Sequence, residues 1–143
     1  MVFREAKKED KEFILKANKE INELSSLNDS TLEIRIDKDL FEDKSCKLII
    51  AEIDNNIAGF ILYSYVYWAN CGKGIYLSQA YVDKNYRGQG VYKELLNELE
   101  TRETECNFIT DLVGPDNEVM KHVLDKMNFK SCDLITYYRM INK

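Results

Sequence analysis

The spacing of apolar residues along this chain changes several times, and each change marks an element. Val2 to Ala6 reads as a short strand, after which Phe13, Ile14, Ala17, Ile21 and Leu24 recur every three or four positions among charged residues. That spacing predicts an amphipathic helix from about Asp10 to Leu24. Residues 25–45 are polar and irregular apart from Leu32, Ile34, Ile36, Leu40 and Phe41, which fits loop and short helix. A β-rich run from Lys47 to Ile53 meets a second, Ile57 to Trp68, across Asp54-Asn55-Asn56, whose residues tolerate left-handed backbone. The two predict a hairpin. Cys71-Gly72-Lys73-Gly74 makes a further turn before a third strand, Ile75 to Val82, so residues 47–82 read as an antiparallel meander.

Past Tyr86-Arg87-Gly88-Gln89-Gly90 the period becomes helical, with Val91, Leu95, Leu96 and Leu99 on one face of a helix running to about Glu103. Asn107 to Val113 reads as a strand and Pro115-Asp116-Asn117 as a turn ending in a good helix N-cap. Val119, Met120, Val123, Leu124 and Met127 line the helix that follows. Asn128 stands where a helix closes on a left-handed residue, and Leu134 to Ile141 predicts a closing strand.

The strand, Gly-rich turn and helix around residue 88 carry the first chemical signal. Such an arrangement points unpaired backbone N–H groups, and the positive end of a helix dipole, at one spot suited to a phosphate. Gly88 and Gly90 remove the Cβ atoms that would block a close approach, and Arg87 adds a permanent positive charge. The turn is neither a Walker loop, since no Lys-Ser/Thr follows, nor a dinucleotide fingerprint, since its third glycine is missing. Read alone, it also fits a tight turn that uses glycine for geometry only.

Composition narrows the function classes. With 143 residues, 45% hydrophobic and one proline, the chain is expected to form a single domain over 1–143. No apolar run approaches the length needed to cross a bilayer, and the charged segment Met1 to Lys11 does not suit a signal peptide, so a cytoplasmic location is expected. A net charge of −5 argues against nucleic-acid binding and favours cationic small molecules or basic peptides. Cys46, Cys71, Cys106 and Cys132 form no CxxC pair, and His122 is the only histidine, so no metal site is expected and the thiols read as reduced. A cysteine nucleophile would need His122 brought beside it by the fold.

The run from Tyr81 to Leu96 resembles the acyl-CoA pyrophosphate motif of the GNAT superfamily of N-acetyltransferases, which reads Arg/Gln-x-x-Gly-x-Gly/Ala. Arg87 and Gly90 match its first two fixed positions, while Tyr92 stands where the family has Gly or Ala. Val113-Gly114-Pro115-Asp116-Asn117-Glu118 and Lys126-Met127-Asn128-Phe129 resemble the family's late strand, its Asn, and the helix end before a Gly-Phe. The resemblance implies an α/β fold of α+β type: a mixed, mostly antiparallel sheet flanked by helices, with strand 75–82 splaying from strand 107–113. It implies acetyl-CoA as co-substrate, without a metal. The pyrophosphate would lie on Arg87, Gly88, Gln89, Gly90, Val91 and Tyr92, the pantetheine on Ala80, Tyr81 and Val82, and Asn117 near the pantetheine arm. A homodimer is compatible with it.

For catalysis the family often places a glutamate on the strand before the motif, where this chain has Ser78-Gln79. Neither is a base, but Ser78 could hold a water, helped by Tyr76 on the same strand face by alternation. The family's usual proton donor, a tyrosine four residues before the Gly position, corresponds to Leu124, leaving Tyr137 and Tyr138 as substitutes or as packing residues. His122 is expected at the surface. Tyr63, Tyr65 and Tyr67, with Trp68, either line a pocket for a cation or cover a helix. Glu20, Glu23, Asp29, Glu33, Asp37 and Asp39 lie where the family builds its acceptor wall, and fit a solvated face equally well. The expected function is acetyl transfer from acetyl-CoA to a primary amine by direct attack. The alternative is an acyl-CoA-binding sensor or scaffold domain that has lost catalysis.

Overall fold

The structure is a computed structural model that describes residues 1–22, 32–137, 139 and 141. It divides into two parts, Met1–Leu112 and Val113–Lys143. The first holds a five-stranded sheet in simple sequence order, β1 (Val2–Glu5), β2 (Lys47–Ile53), β3 (Asn56–Trp68), β4 (Gly72–Val82) and β5 (Ile109–Asp111). The first four strands pair antiparallel and β5 joins β4 in parallel, so the sheet is mixed. The β2–β3 hairpin closes over Asp54 and Asn55, both at positive φ (50° and 63°), as the asparagine-rich turn leads one to expect.

Alternation along the central strands sorts the side chains onto two faces. On one, Leu48, Ile50, Phe60 and Tyr81 are buried with Ile14 and Ala17 of helix α1 (Lys11–Asn22). On the other, helix α3 (Val91–Arg102) packs across β2, β3 and β4, and its Val91, Leu95, Leu96 and Leu99 are buried. Gly59 on β3 makes that approach close: a Cβ there would lie 2.5 Å from the Tyr81 carbonyl oxygen and 3.3 Å from Val91 Cγ1. Helix α2 (Leu32–Arg35) runs directly into a π-helical stretch, Ile36–Glu42, so this polar region is more helical than its sequence pattern predicts. The π stretch has more than four residues per turn, which breaks the 3.6-residue spacing that reveals a helix. Leu24 falls outside the described residues.

In the second part, α4 (Glu118–Lys126) is capped as its sequence predicts: the Asn117 side-chain oxygen accepts from the Met120 N–H at 3.1 Å. Asn128 has φ 64°, and the Phe129 N–H returns to the Leu124 carbonyl, so the asparagine closes the helix in the left-handed region. Two expectations are corrected. Val119, assigned to the inner face of this helix, is 79% exposed; it lies in the first turn, before the stripe that buries Leu124. The closing strand is absent over residues 131–137, where Leu134, Ile135 and Tyr137 stand in solvent. Alternation alone does not make a strand, because its N–H and C=O groups need a ladder partner. Tyr138 falls outside the described residues.

Candidate acyl-CoA site

The β4–α3 connection is built by short-range hydrogen bonds. The buried Asp83 carboxylate accepts from the Asn85 N–H at 2.9 Å and starts a 3-10 turn, Lys84–Tyr86. The Gln89 side chain donates to the Asn85 carbonyl at 3.1 Å. Gly88 and Gly90 then take φ values of 76° and 79°, a region L-residues seldom adopt. No atom lies within 4 Å of where a Cβ would stand on either glycine, so the space in front of the turn is open. Gly90 offers no side-chain cap, and the first intrahelical bond runs from the Glu94 N–H to the Gly90 carbonyl. The N–H groups of Val91, Tyr92 and Lys93 therefore lack intrahelical partners and sit at the positive end of the helix. Arg87 stands beside them, its Nε donating to the Val82 carbonyl at 3.0 Å.

The Tyr92 side chain does not follow the glycines outward. Its hydroxyl is buried without a hydrogen-bond partner among the described residues, and burial, then the Asp111 charge, raises its pKa above the tyrosine range. Asp111 ends β5, and burial pushes its carboxyl up to about 6 against the help of the Leu112 N–H.

The same Asp111 closes the β4–β5 ladder, which consists of Ile75↔Ile109, Tyr76↔Thr110 and Leu77↔Asp111 only. Beyond Leu77 the two strands part, so every other backbone N–H and C=O from Ser78 to Val82 faces away from β3 along an edge with no ladder partner among the described residues. A bulge marks the parting. Leu62 pairs with Gln79 and Tyr63 with Leu77, leaving Ser78 as the extra residue of β4. Strict alternation placed Ser78 with Tyr76; the bulge breaks that period, and Gln79 instead shares the Tyr76 face.

On the α1 side, two hydrogen-bond chains reach β4. Gln79 Nε2 donates to Asn18 Oδ1 at 2.9 Å, and Asn18 Nδ2 donates to the Ile14 carbonyl at 2.9 Å. Tyr81, buried between Phe13 and Phe60, donates its hydroxyl to Glu20 Oε2 at 2.7 Å. Glu20 also comes within 4.0 Å of Arg87 Nη2. Sequence reasoning gave neither Asn18 nor the Tyr81–Glu20 bond; the available signal was a lone amide on the apolar stripe of α1.

The tyrosines of β3 belong elsewhere. Tyr63 and Tyr65 both donate to the Glu103 carboxylate at 2.7 Å, beside Lys47 Nζ at 3.1 Å, so they cover the end of α3. Lys73 Nζ lies 4.1 Å from the Tyr65 ring centroid, while Tyr67 is 75% exposed. Asn117 and Leu124 lie in the second part, where the first caps α4 and the second is buried. His122 and Tyr137 are exposed. Glu23 and Asp29 fall outside the described residues. Among the described residues no three His, Cys, Asp or Glu side chains gather as a metal site, and no helix is long and apolar enough to cross a membrane.

Residues 12–129 match the acetyltransferase (GNAT) family. Among solved structures, a possible acetyltransferase from Clostridium difficile 630 is similar at 21% identity and TM-score 0.84, covering 99% of this chain and 98% of that one. AAC(6')-Iy, in complex with the bisubstrate analogue CoA-S-monomethyl-acetylneamine, is similar at 17% identity and TM-score 0.78 over 97% of each chain. A predicted acetyltransferase from Clostridium acetobutylicum, with acetyl-CoA, is similar at 18% identity and TM-score 0.76, covering 96% of this chain and 95% of that one.

Proposed function

This chain belongs to the GNAT family of acetyltransferases, and from that premise we propose that it moves an acetyl group from acetyl-CoA to a primary amine by direct attack, without a covalent enzyme intermediate. One observation carries the cofactor reading: three uncapped N–H groups of α3, two open positive-φ glycines and Arg87 converge next to the unpaired edge of β4. The amides from Gly88 to Tyr92 and the Arg87 guanidinium suit a diphosphate. Tyr92, the departure from the family pattern, turns its hydroxyl into the protein and leaves its backbone N–H to the ligand. Along Ala80, Tyr81 and Val82, the backbone groups that alternate away from β3 would pair with pantetheine amides, as an added strand would, while the Tyr81 carbonyl faces Gly59 of β3 and the Val82 carbonyl is shared with Arg87 Nε. We read residues 1–143 as one domain acting in the cytoplasm, a reading favoured by a family match that runs through both parts.

Acetyl-CoA supplies the activated thioester; the chain has to deliver a neutral amine to it. For an amine of lysine-like pKa the free base costs about 4.6 kcal/mol at pH 7, so an ordered route for the proton matters. Tyr76 is the side chain on β4 we assign to holding the water that takes it; Ser78, exposed and turned off the Tyr76 face by the bulge, would reach that water only through a second one. Small amines, such as the aminoglycosides suggested by AAC(6')-Iy, and peptide amines both fit this chemistry.

A second reading, an acyl-CoA sensor without catalysis, is favoured by Leu124 at the family's proton-donor position and by Gln79 in place of a carboxylate. Calorimetric titration with acetyl-CoA, followed by an acetyl-transfer assay on kanamycin, spermidine and a peptide with an N-terminal alanine, separates the two. Micromolar binding with turnover that Gly90→Asp abolishes supports the enzyme. Binding without turnover supports the sensor. No heat and no thermal stabilisation at millimolar acetyl-CoA rejects both.

A further inference from the structure

The Glu20 carboxylate occupies an unusual position for a site that suits an anion. It lies on α1, yet one oxygen, Oε2, accepts from the Tyr81 hydroxyl at 2.7 Å and lies 4.0 Å from Arg87 Nη2. Neither partner moves freely. Tyr81 is 6% exposed, with ring centroids 5.8 Å from both Phe13 and Phe60. Burial and the bond to Glu20 push its pKa up to about 12, so the hydroxyl remains a donor across the neutral range. Arg87 is tied through Nε to the Val82 carbonyl, which leaves its Nη groups toward Glu20 and solvent. The other nearby carboxylate, Asp83, is buried and spends an oxygen on the Asn85 N–H. Among the described residues, Glu20 is therefore the solvent-reaching negative charge held beside the arginine of the turn, its side chain 40% exposed.

Building on the acyl-CoA reading of that turn, we propose that Glu20 is an affinity-setting residue: a counter-charge pinned by Tyr81 that competes with the cofactor's diphosphate for Arg87 and repels it. A ligand that takes Arg87 forfeits the Glu20–Arg87 attraction and brings further negative charge near a carboxylate that the Tyr81 hydroxyl holds in place. In a partly solvated site, one such charge changes anion affinity on the order of fivefold, and salt screens it within about 10 Å. A purely structural Glu20, tying the end of α1 to β4, would set thermal stability and leave ligand affinity alone.

The test is calorimetric titration of the full chain with CoA and, separately, with inorganic pyrophosphate, for wild type, Glu20→Gln and Tyr81→Phe. Glutamine retains an oxygen for the Tyr81 hydroxyl, so the variant removes the charge and keeps the bond. Glu20→Gln is expected to bind CoA about fivefold tighter at low salt, with the gap closing as ionic strength rises from about 0.05 M to about 0.5 M. Tyr81→Phe, which frees the carboxylate to turn away, is expected to tighten binding by a smaller factor. Equal affinity across the variants overturns the proposal, and weaker binding by Glu20→Gln does so as well, because it would mean that Glu20 positions Arg87 for the ligand. Absence of CoA binding by every protein, wild type included, overturns the acyl-CoA reading itself, an outcome distinct from binding that Glu20 does not tune.

Discussion

Gly90 sits at φ 79° with nothing within 4 Å of a would-be Cβ, so its missing side chain serves whatever approaches the turn and not the turn's own packing. Gly90→Asp is therefore expected to fold, at a cost of about 1 kcal/mol for the left-handed backbone, and to weaken acetyl-CoA binding more than tenfold by setting a carboxylate against the phosphates. Isothermal titration beside a thermal melt checks both halves. Asp111 offers a prediction in pH. Its native pKa, raised to about 6 by burial, exceeds the unfolded carboxylate value, so the native state binds more protons between the two and loses stability as pH rises through about 6. Asp111→Asn should be more stable than wild type near pH 8, with the difference vanishing toward about pH 4; melts across that range would show it. Gly88, Gly90 and Arg87 were legible because they sit at fixed spacing on a strand-to-helix turn. Asp111 was not: an aspartate in a short apolar run gives no hint of how deeply it will be buried.

At the scale of elements, Arg4 joins β1, the start of α1 and β2. Its guanidinium makes two bonds to Asp10, at 2.8 and 2.9 Å, and one to Glu52 at 2.8 Å, while the Asp10 carboxylate also accepts the Lys7 N–H at 2.7 Å. Burial alone would raise the Asp10 pKa, but Arg4 and the Lys7 N–H hold it below the usual carboxylate value. Arg4→Met leaves a buried carboxylate unpaired and should cost about 3 kcal/mol in denaturant unfolding at pH 7. Since a lowered carboxylate pKa stabilises above the unfolded value and that contribution goes as the group protonates, the gap to wild type should narrow below about pH 4. The hydrophobic period found β2, β3 and α3 nearly to the residue, because each buries a regular stripe. It missed the first three residues of β4. Gly72 and Gly74 read as turn residues, yet Gly74 lies within the strand because Phe108 covers it: a Cβ there would fall 2.3 Å from the ring, which stacks on Trp68 at 4.2 Å. The bulge at Ser78 escaped for a related reason, since alternation carries no record of an inserted residue.

For the molecule as a whole, the order of elements survived better than its last member. Leu134 and Ile135 were assigned to a strand on spacing, but they are 81% and 78% exposed in a stretch without a ladder. Leu134→Ser with Ile135→Ser should then change unfolding free energy by no more than about 1 kcal/mol in all, about 0.5 kcal/mol for each surface substitution. A loss several times larger in a denaturant titration would restore the strand. What sequence alone withheld at this scale was pairing, because which backbone meets which is decided by segments far apart in the chain.

The brevity of the β4–β5 ladder has a colloidal consequence. A strand that leaves its neighbour after three pairs exposes a ledge of unsatisfied donors and acceptors, and such ledges adhere to one another. A molecule lying along that ledge would act as a sheath as well as a reactant, so that the unliganded protein at high concentration clouds before the liganded one.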